Sequence, residues 1–157
     1  MSNDKLPIEI LEQLQHFQLW GISGEVQNEQ YGPVGLQLMD ALWQAVRTAG
    51  LKTAGVNHWV YLPDSQMFVG VELLPDQPPP SAPLTPLAFE LPRALKHIHV
   101  GPYQELPQKW KALFAELNAR GEQPGPVSLE VYGHHCEEPS KQETTILIGL
   151  QNPQQSR

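Results

Sequence analysis

The carboxylate of Glu130 is the group in this sequence whose surroundings best suit it to chemistry. It lies in the segment VSLEVYG, which is typical of a short strand. Alternation along that strand places Glu130 and Tyr132 on one face and Leu129 and Val131 on the other. A carboxylate among apolar and aromatic groups is poorly solvated and would gain from pairing with an organic cation. The alternative is an ordinary surface acid on a wet face, because acidic side chains are mostly exposed.

Aromatic side chains recur at positions from which they could wall a cavity around Glu130. Trp59 and Tyr61 share one face of a second predicted strand, and aromatic faces attract cations by about 0.5–2 kcal/mol each. Three more aromatic residues lie on predicted helices: Trp43, Trp110 and Phe114. Core packing is the usual role of such helix residues, so we expect some of them to lie in the core. Tyr103 either closes one end of the cavity or only fixes the start of the second helix.

The histidines do not predict a metal site. His97 and His99 share one strand face, and His134, His135 and Cys136 follow in a predicted loop. Zinc needs three or four converging ligands, and these spacings match no zinc-finger or protease motif. We predict no bound metal, and we expect the face that carries His97 and His99 to be exposed and polar.

Nucleophilic catalysis has little support in the sequence. There is no GxSxG segment, phosphate-binding loop or dinucleotide fingerprint, so no cofactor is predicted. Cys136 stands beside Glu137 and Glu138, whose charges disfavour a thiolate. If the protein is an enzyme, the simplest mechanism uses Glu130 to activate water, with Tyr61 or Tyr132 as the proton donor.

Composition narrows the class of protein. The chain has 157 residues, 40% of them hydrophobic, which suffices for one medium domain or two very small ones. Its 17 acidic residues outnumber its 10 basic ones, so direct binding to nucleic acid or to an anionic membrane is not expected. The single cysteine excludes an internal disulfide, and neither a signal peptide nor a membrane span is evident. We therefore expect a cytoplasmic protein.

A proline-rich connector over residues 75–86 divides the chain into two halves of similar pattern. Each half contains a helix with an apolar stripe, ending near Gly50 in the first half and near Gly121 in the second. The predicted strands span residues 8–26 (with a break near 13–15), 57–62, 67–74, 87–100, 127–132 and 144–150.

The two halves indicate a duplication, because one offset relates Trp43 to Phe114 and Tyr61 to Tyr132. Each half is a strand–helix–strand–strand unit, over about residues 7–74 and 87–151. Neither unit is large enough to bury its own sheet face. We therefore predict a single α+β domain over residues 1–157, with pseudo-twofold symmetry, an antiparallel sheet and two main helices.

Two motifs connect the second half to a known family. The segment GPYQEL spans residues 101–106, and the segment EVY spans residues 130–132. Together with the Trp- and Phe-containing helix and the Gly21-Ile22-Ser23 segment, they resemble the GyrI-like, or AraC-type, effector-binding domains (the sensor domains of Rob- and BmrR-like regulators). The resemblance covers about residues 7–151. It implies a ligand cavity along the pseudo-twofold axis, with the ligand-facing glutamate of the family at Glu130.

The resemblance implies a small-molecule-binding protein. It also favours a ligand-facing Glu130 over the alternative of an ordinary surface acid. We expect a sensor or scavenger of amphipathic, cationic aromatic compounds that stands alone, because no helix-turn-helix segment is evident. The expected ligand-binding residues are Glu130, Tyr132, Trp59, Tyr61, Trp43, Trp110, Phe114 and Tyr103. Two alternatives remain open. One is a cofactor-free hydrolase of reactive ring compounds, and the other is an interaction protein that inhibits a large partner such as gyrase.

Overall fold

Strands and helices follow one another along the chain nearly in the predicted order. The computed structural model describes residues 6–133 and 136–151. The described elements are β1 (Glu9–Leu11), β2 (Gln15–Glu25), α1 (Tyr31–Ala49), β3 (Asn57–Leu62), β4 (Gln66–Val71), β5 (Thr85–Leu91), β6 (Ala94–Val100), α2 (Leu106–Ala119), β7 (Pro124–Tyr132) and β8 (Glu143–Leu150). The predicted break within residues 8–26 is confirmed, because that segment forms both β1 and β2.

The prediction of one strand over residues 87–100 is wrong. The chain forms β5, bends at Pro92-Arg93 and continues as β6, which pairs with β1 and β8 and not with β5. Proline has no N–H to donate to a strand ladder, which explains why pairing stops at this point. The proline-rich connector is also shorter than predicted, because Thr85 and Pro86 belong to β5. Leu84 at its end is buried against α1.

The eight strands form one antiparallel sheet in the order β1-β6-β8-β7-β3-β4-β2-β5. The central pair, β7 and β3, takes one strand from each half, and β8 and β6 on one side correspond to β4 and β2 on the other. The first strand of each half is exchanged: β1 pairs with β6 and β5 pairs with β2. This symmetric order confirms the predicted fold class of two duplicated units.

Both helices end at the predicted positions. The N–H of Gly50 bonds to the carbonyl oxygen of Arg47, and the backbone there is left-handed with φ of 66°. Gly121, just beyond α2, has φ of 73°. Pro107 lies in the first turn of α2, where its missing N–H leaves no intrahelical bond unmade. Neither described helix has the length and apolar character that crossing a membrane requires.

Both helices cover the same face of the sheet. Cross-strand partners share a face, and one row runs through His97, Ile146, Glu130, Trp59 and Val69. Ile146 packs in the apolar cluster of α2, whereas Trp59 and Val69 pack in the cluster of α1. The middle of this row, at β7 and β3, therefore lies between the two helices.

The opposite face of the sheet is buried by the curvature of the sheet itself. Val60, Leu129 and Phe68 from β3, β7 and β4 are buried there, and the partly buried Leu11 of β1 and Phe89 of β5 pack against them. Because β1 and β5 are the two edges of the sheet, their meeting in one cluster requires the sheet to curl. The curled sheet buries this face without a helix and leaves both helices to build the other face.

Candidate functional site

A cleft of about 1030 Å³ opens between α1 and α2, above β3 and β7. We call it the central cleft. Its floor is formed by strand residues Asn57, Trp59, Tyr61, Ser128, Glu130 and Tyr132. Its walls include Tyr31, Leu36 and Met39 from α1 and Leu106, Pro107, Trp110 and Phe114 from α2. Seven of the eight predicted ligand-binding residues line this cleft, and Trp43 does not.

The register between β3 and β7 assembles the floor. Trp59 lies directly opposite Glu130, and Tyr61 lies opposite Ser128. Alternation along β7 turns Leu129 away into the core of the curled face, as predicted. The two halves therefore supply the floor jointly, one strand each.

Glu130 is buried, so the surface-acid alternative is wrong. Its carboxylate is only 4% exposed. Oε1 accepts hydrogen bonds from the hydroxyls of Tyr61 (2.7 Å) and Tyr132 (2.5 Å), and Oε2 accepts one from Nε1 of Trp110 (2.6 Å). An indole can only donate, so this arrangement of donors suits an ionised carboxylate. Within the described residues, no basic side chain forms an ion pair with it.

The phenols that bond Glu130 are held in their neutral form. Burial, followed by the charge of Glu130, raises the pKa of Tyr61 well above its usual value near 10. The same two causes raise the pKa of Tyr132. Both hydroxyls therefore remain hydrogen-bond donors at physiological pH. The carboxylate is solvated by dipoles, while its charge is left without a counter-ion.

Edge-to-face contacts fix the aromatic rings of the cleft. The ring centroids of Trp59 and Tyr132 are 5.2 Å apart, and those of Tyr61 and Trp110 are 5.7 Å apart. Tyr103 packs edge-on against Tyr132 at 5.3 Å, and its side chain is half exposed at one end of the cleft. Phe114 lies 5.8 Å from Trp110 and is likewise partly exposed. The rings thus support one another from the buried floor outward to the rim.

A glycine in α1 makes room for the ring of Trp59. A Cβ placed on Gly35 would lie 2.2 Å from the Cζ3 atom of Trp59. Helix interiors disfavour glycine by about 0.5–1 kcal/mol relative to alanine, so its presence here reflects the close approach of the indole. No local pattern predicts this contact, because the two residues are distant in the chain.

Trp43 lies behind the wall of the cleft and not in it. Its Nε1 donates a 2.7 Å hydrogen bond to Oδ1 of Asn57, and its ring packs in the α1 cluster. Asn57 does line the cleft, and sequence reasoning missed it. Its position two residues before Trp59 was the available signal, because alternation places both on the same face.

His97 and His99 are buried, so the expectation of an exposed polar face is wrong. Nδ1 of His97 lies 2.9 Å from the carbonyl oxygen of Pro7, and Nε2 of His99 lies 3.2 Å from that of Pro102. Their face of β6 belongs to the row covered by α2. Among residues 6–133 and 136–151, no three potential ligands are grouped to hold a metal ion. His134 and His135 lie outside the described residues.

Comparison with known proteins extends the fold assignment. No protein-family model matches the sequence, and no curated protein matches it. The C-terminal domain of EcmrR is similar in structure, with a TM-score of 0.72, 14% identity, and coverage of 94% of this chain and 98% of that one. SAV2435 bound to tetraphenylphosphonium has a TM-score of 0.62 and 14% identity, with 98% of each chain covered. A hydrolase from Listeria innocua has a TM-score of 0.58 and 13% identity, over 94% and 93% of the two chains.

These similarities establish the fold alone. They agree with a GyrI-like effector-binding fold, which is the resemblance that the GPYQEL and EVY segments carry. The matches extend over nearly the whole of this chain, so both halves and the central strands β3 and β7 fall within them.

Proposed function

We propose that the protein binds amphipathic organic cations in the central cleft, with Glu130 attracting the positive charge. The observation that carries this proposal is a buried carboxylate whose described partners are all neutral donors, set in a floor of aromatic rings. A cation entering the cleft gains the attraction of an uncompensated charge in a region of low dielectric. The cleft volume of about 1030 Å³ is sufficient for a drug-sized molecule.

Two further observations support a cationic ligand. Among the described residues that line the cleft there is no lysine or arginine, and a second carboxylate, that of Glu29, lies at the mouth. The structurally similar protein SAV2435 has a known structure bound to tetraphenylphosphonium, which is an aromatic cation. Rings such as those of Trp59 and Tyr132 would add cation–π attraction of about 0.5–2 kcal/mol each.

A binding role explains the geometry of Glu130 better than hydrolysis does. A general base needs a free lone pair within reach of water, and donors already take three of the roughly four acceptor positions of this carboxylate. Its tyrosines are poor acids, because burial beside Glu130 raises the pKa of Tyr61 and of Tyr132. Inhibition of a protein partner such as gyrase stays a separate hypothesis. Mass spectrometry of a bound probe separates binding from turnover.

The proposal is tested by removing the charge and keeping the shape. Glu130→Gln should weaken the binding of a cationic dye by about 10- to more than 100-fold, as expected for loss of a charge-assisted contact of ~1.5–3 kcal/mol. A neutral dye of the same shape should lose much less. Titration of both dyes by tryptophan fluorescence measures the difference. Equal losses for the two dyes would mean that Glu130 shapes the cleft without selecting charge.

Two control variants sharpen this test. Glu29→Gln removes an exposed carboxylate at the mouth and should change cation affinity no more than a few-fold, since exposed charges contribute ~0–1 kcal/mol. In Glu130→Gln the amide oxygen can accept from the Trp110 N–H while the amide nitrogen donates to the hydroxyls of Tyr61 and Tyr132, so the fold should be retained. Trp110→Phe, which removes one donor from Glu130 and leaves its charge in place, should keep the preference for the cationic dye.

A further inference from the structure

Asn57 is a polar residue of the cleft whose hydrogen-bonding capacity is only half used. Trp43 donates to its Oδ1 at 2.7 Å. An indole N–H cannot accept, so this bond fixes which end of the amide is oxygen. Within the described residues nothing accepts a hydrogen bond from the Nδ2 group of Asn57. The residue lines the central cleft, so an oriented N–H donor is available there.

The position of this donor relative to Glu130 is set by the sheet. Asn57 lies opposite Tyr132, and its neighbour on the same face, Trp59, lies opposite Glu130. Asn57 and Glu130 are therefore diagonal neighbours across the two strands, and such positions are separated by about 7–8 Å. Both side chains belong to the floor of the cleft.

Three other oriented donors of the cleft are already committed, and a fourth, the indole N–H of Trp59, is buried and has no hydrogen-bond partner among the described residues. The hydroxyls of Tyr61 and Tyr132 and the indole of Trp110 all donate to Glu130. A ligand oxygen could take one of these bonds only by stripping it from a buried carboxylate, which is unfavourable. The hydroxyl of Ser128 also lies in the floor, but a serine hydroxyl rotates freely and is not pre-oriented.

We propose that Asn57, oriented by Trp43, selects ligands that carry a hydrogen-bond acceptor about 7–8 Å from their positive charge. The inference rests on the proposed function and specifies its ligand class: aryl cations bearing a carbonyl-type oxygen. Asn57 is then a specificity-determining residue that contacts the ligand. Trp43 is a positioning residue that acts through Asn57.

A matched pair of cations tests this inference. The probes are (4-acetylbenzyl)trimethylammonium and (4-isopropenylbenzyl)trimethylammonium, which have the same charge and nearly the same shape. They differ in one atom, because the carbonyl oxygen of the first is a CH₂ group in the second. The measured quantity is the ratio of their dissociation constants. One neutral hydrogen bond shifts such a ratio in favour of the acetyl probe by about two- to tenfold.

Two variants test whether Asn57 and Trp43 determine this ratio. Asn57→Asp keeps an acceptor for the Trp43 indole and removes the amide donor. Its added negative charge acts on both probes alike, so the preference for the acetyl probe should disappear or invert. Trp43→Phe keeps an aromatic ring in the α1 cluster but frees the amide to rotate, and the preference should shrink. A purely structural role for Trp43 would change both affinities and leave their ratio unchanged.

The outcomes separate this inference from the proposed function. If both cations bind and their ratio is the same in wild type and Asn57→Asp, the role of Asn57 is overturned while cation binding stands. If neither probe binds the wild-type protein, the proposed function and this inference both fail. A ratio that falls in both variants, with the charge selectivity of Glu130 intact, supports the inference.

Discussion

At the scale of single residues, Glu130 shows how the chain buries a charge without neutralising it. Three donors solvate the carboxylate, and each comes from a different element: Tyr61 from β3, Trp110 from α2 and Tyr132 from β7. Such hydrogen bonds offset much of the cost of removing the charge from water. They do not cancel the field that the charge produces in the cleft, and a cationic ligand would respond to that field.

Gly35 gives a second residue-scale prediction. In Gly35→Ala the new methyl group would collide with the ring of Trp59, where the Cβ would lie 2.2 Å from Cζ3. Overpacking of this kind typically destabilises by about 1–3 kcal/mol, which exceeds the gain in helix propensity. Gly32→Ala in the same helix is the matched control, because a Cβ there meets nothing within 4 Å. Urea denaturation should show a loss of stability for the first variant and none for the second.

Gly35→Ala should also change the affinity of the cleft for a ligand. Trp59 forms part of the cleft floor, so moving its ring changes the space available to a ligand. If Gly35→Ala is as stable as wild type, the indole has room to move aside, and the close approach of helix and ring is not required. Unchanged stability together with altered dye affinity would point to the same conclusion.

At the scale of elements, the sequence predicted local features and missed the tertiary ones. The ends of α1 and α2 were predictable because Gly50 and Gly121 act through their own backbone. The face of Glu130 was predictable because alternation is local to β7. The burial of His97 was not, because it depends on α2 covering β6, which lies far away along the chain.

The same difference between local and tertiary features holds for the residues of the site. Six of the seven expected residues that share the cleft lie on β3, β7 or α2, where the periodic pattern predicts the face; Tyr103 lies in the turn before α2. Trp43 packs in the α1 cluster, as expected for some of the helix aromatics, and periodicity does not show which of them face the core. Asn57 was missed because its role depends on its partner Trp43 and not on its residue type alone.

The buried histidines of β3 and β6 make stability depend on pH. Burial lowers the pKa of His58 and of His97 from the usual value near 6.5. Around His97, the charges of Lys109 and His99 lower the pKa further, while the hydrogen bond to Pro7 opposes the shift. Below about pH 6.5 the unfolded chain therefore takes up more protons than the folded one, so the free energy of unfolding decreases as the pH falls.

Urea denaturation at about pH 7.5 and pH 5.5 measures this effect above the range in which carboxylates titrate. The midpoint should be lower at the acid pH for the wild type. His97→Gln retains a group that can hydrogen-bond to Pro7 and does not titrate. Its loss of stability on acidification should therefore be smaller than that of the wild type. His16→Gln, at an exposed position, serves as the control. If His97→Gln and wild type lose the same stability, the protonation of His97 does not contribute to it.

At the scale of the whole molecule, the two halves are joined by more than a shared core. Of the seven strand ladders, three connect different halves: β1 with β6, β2 with β5, and β3 with β7. Arg93, at the turn between β5 and β6, pairs with Glu12 of the first half and Glu122 of the second. The central cleft itself takes one floor strand from each half, so neither half contains a complete site.

This exchange predicts that a half-chain cannot fold by itself. Residues 1–76 contain β1 to β4, but β1, β2 and β3 would each lose a partner strand that lies in the second half. The exposed strand edges and the uncovered apolar face should make this fragment aggregate when it is expressed alone. Coexpression with residues 77–157 should restore the three ladders, and the fragments should then copurify as a one-to-one complex. Full-length protein cleaved within the proline-rich connector is the control, and it should remain assembled because the cut removes no strand. A cooperatively unfolding, monomeric fragment 1–76 would contradict the prediction, because the exchanged strands would then be dispensable for the fold.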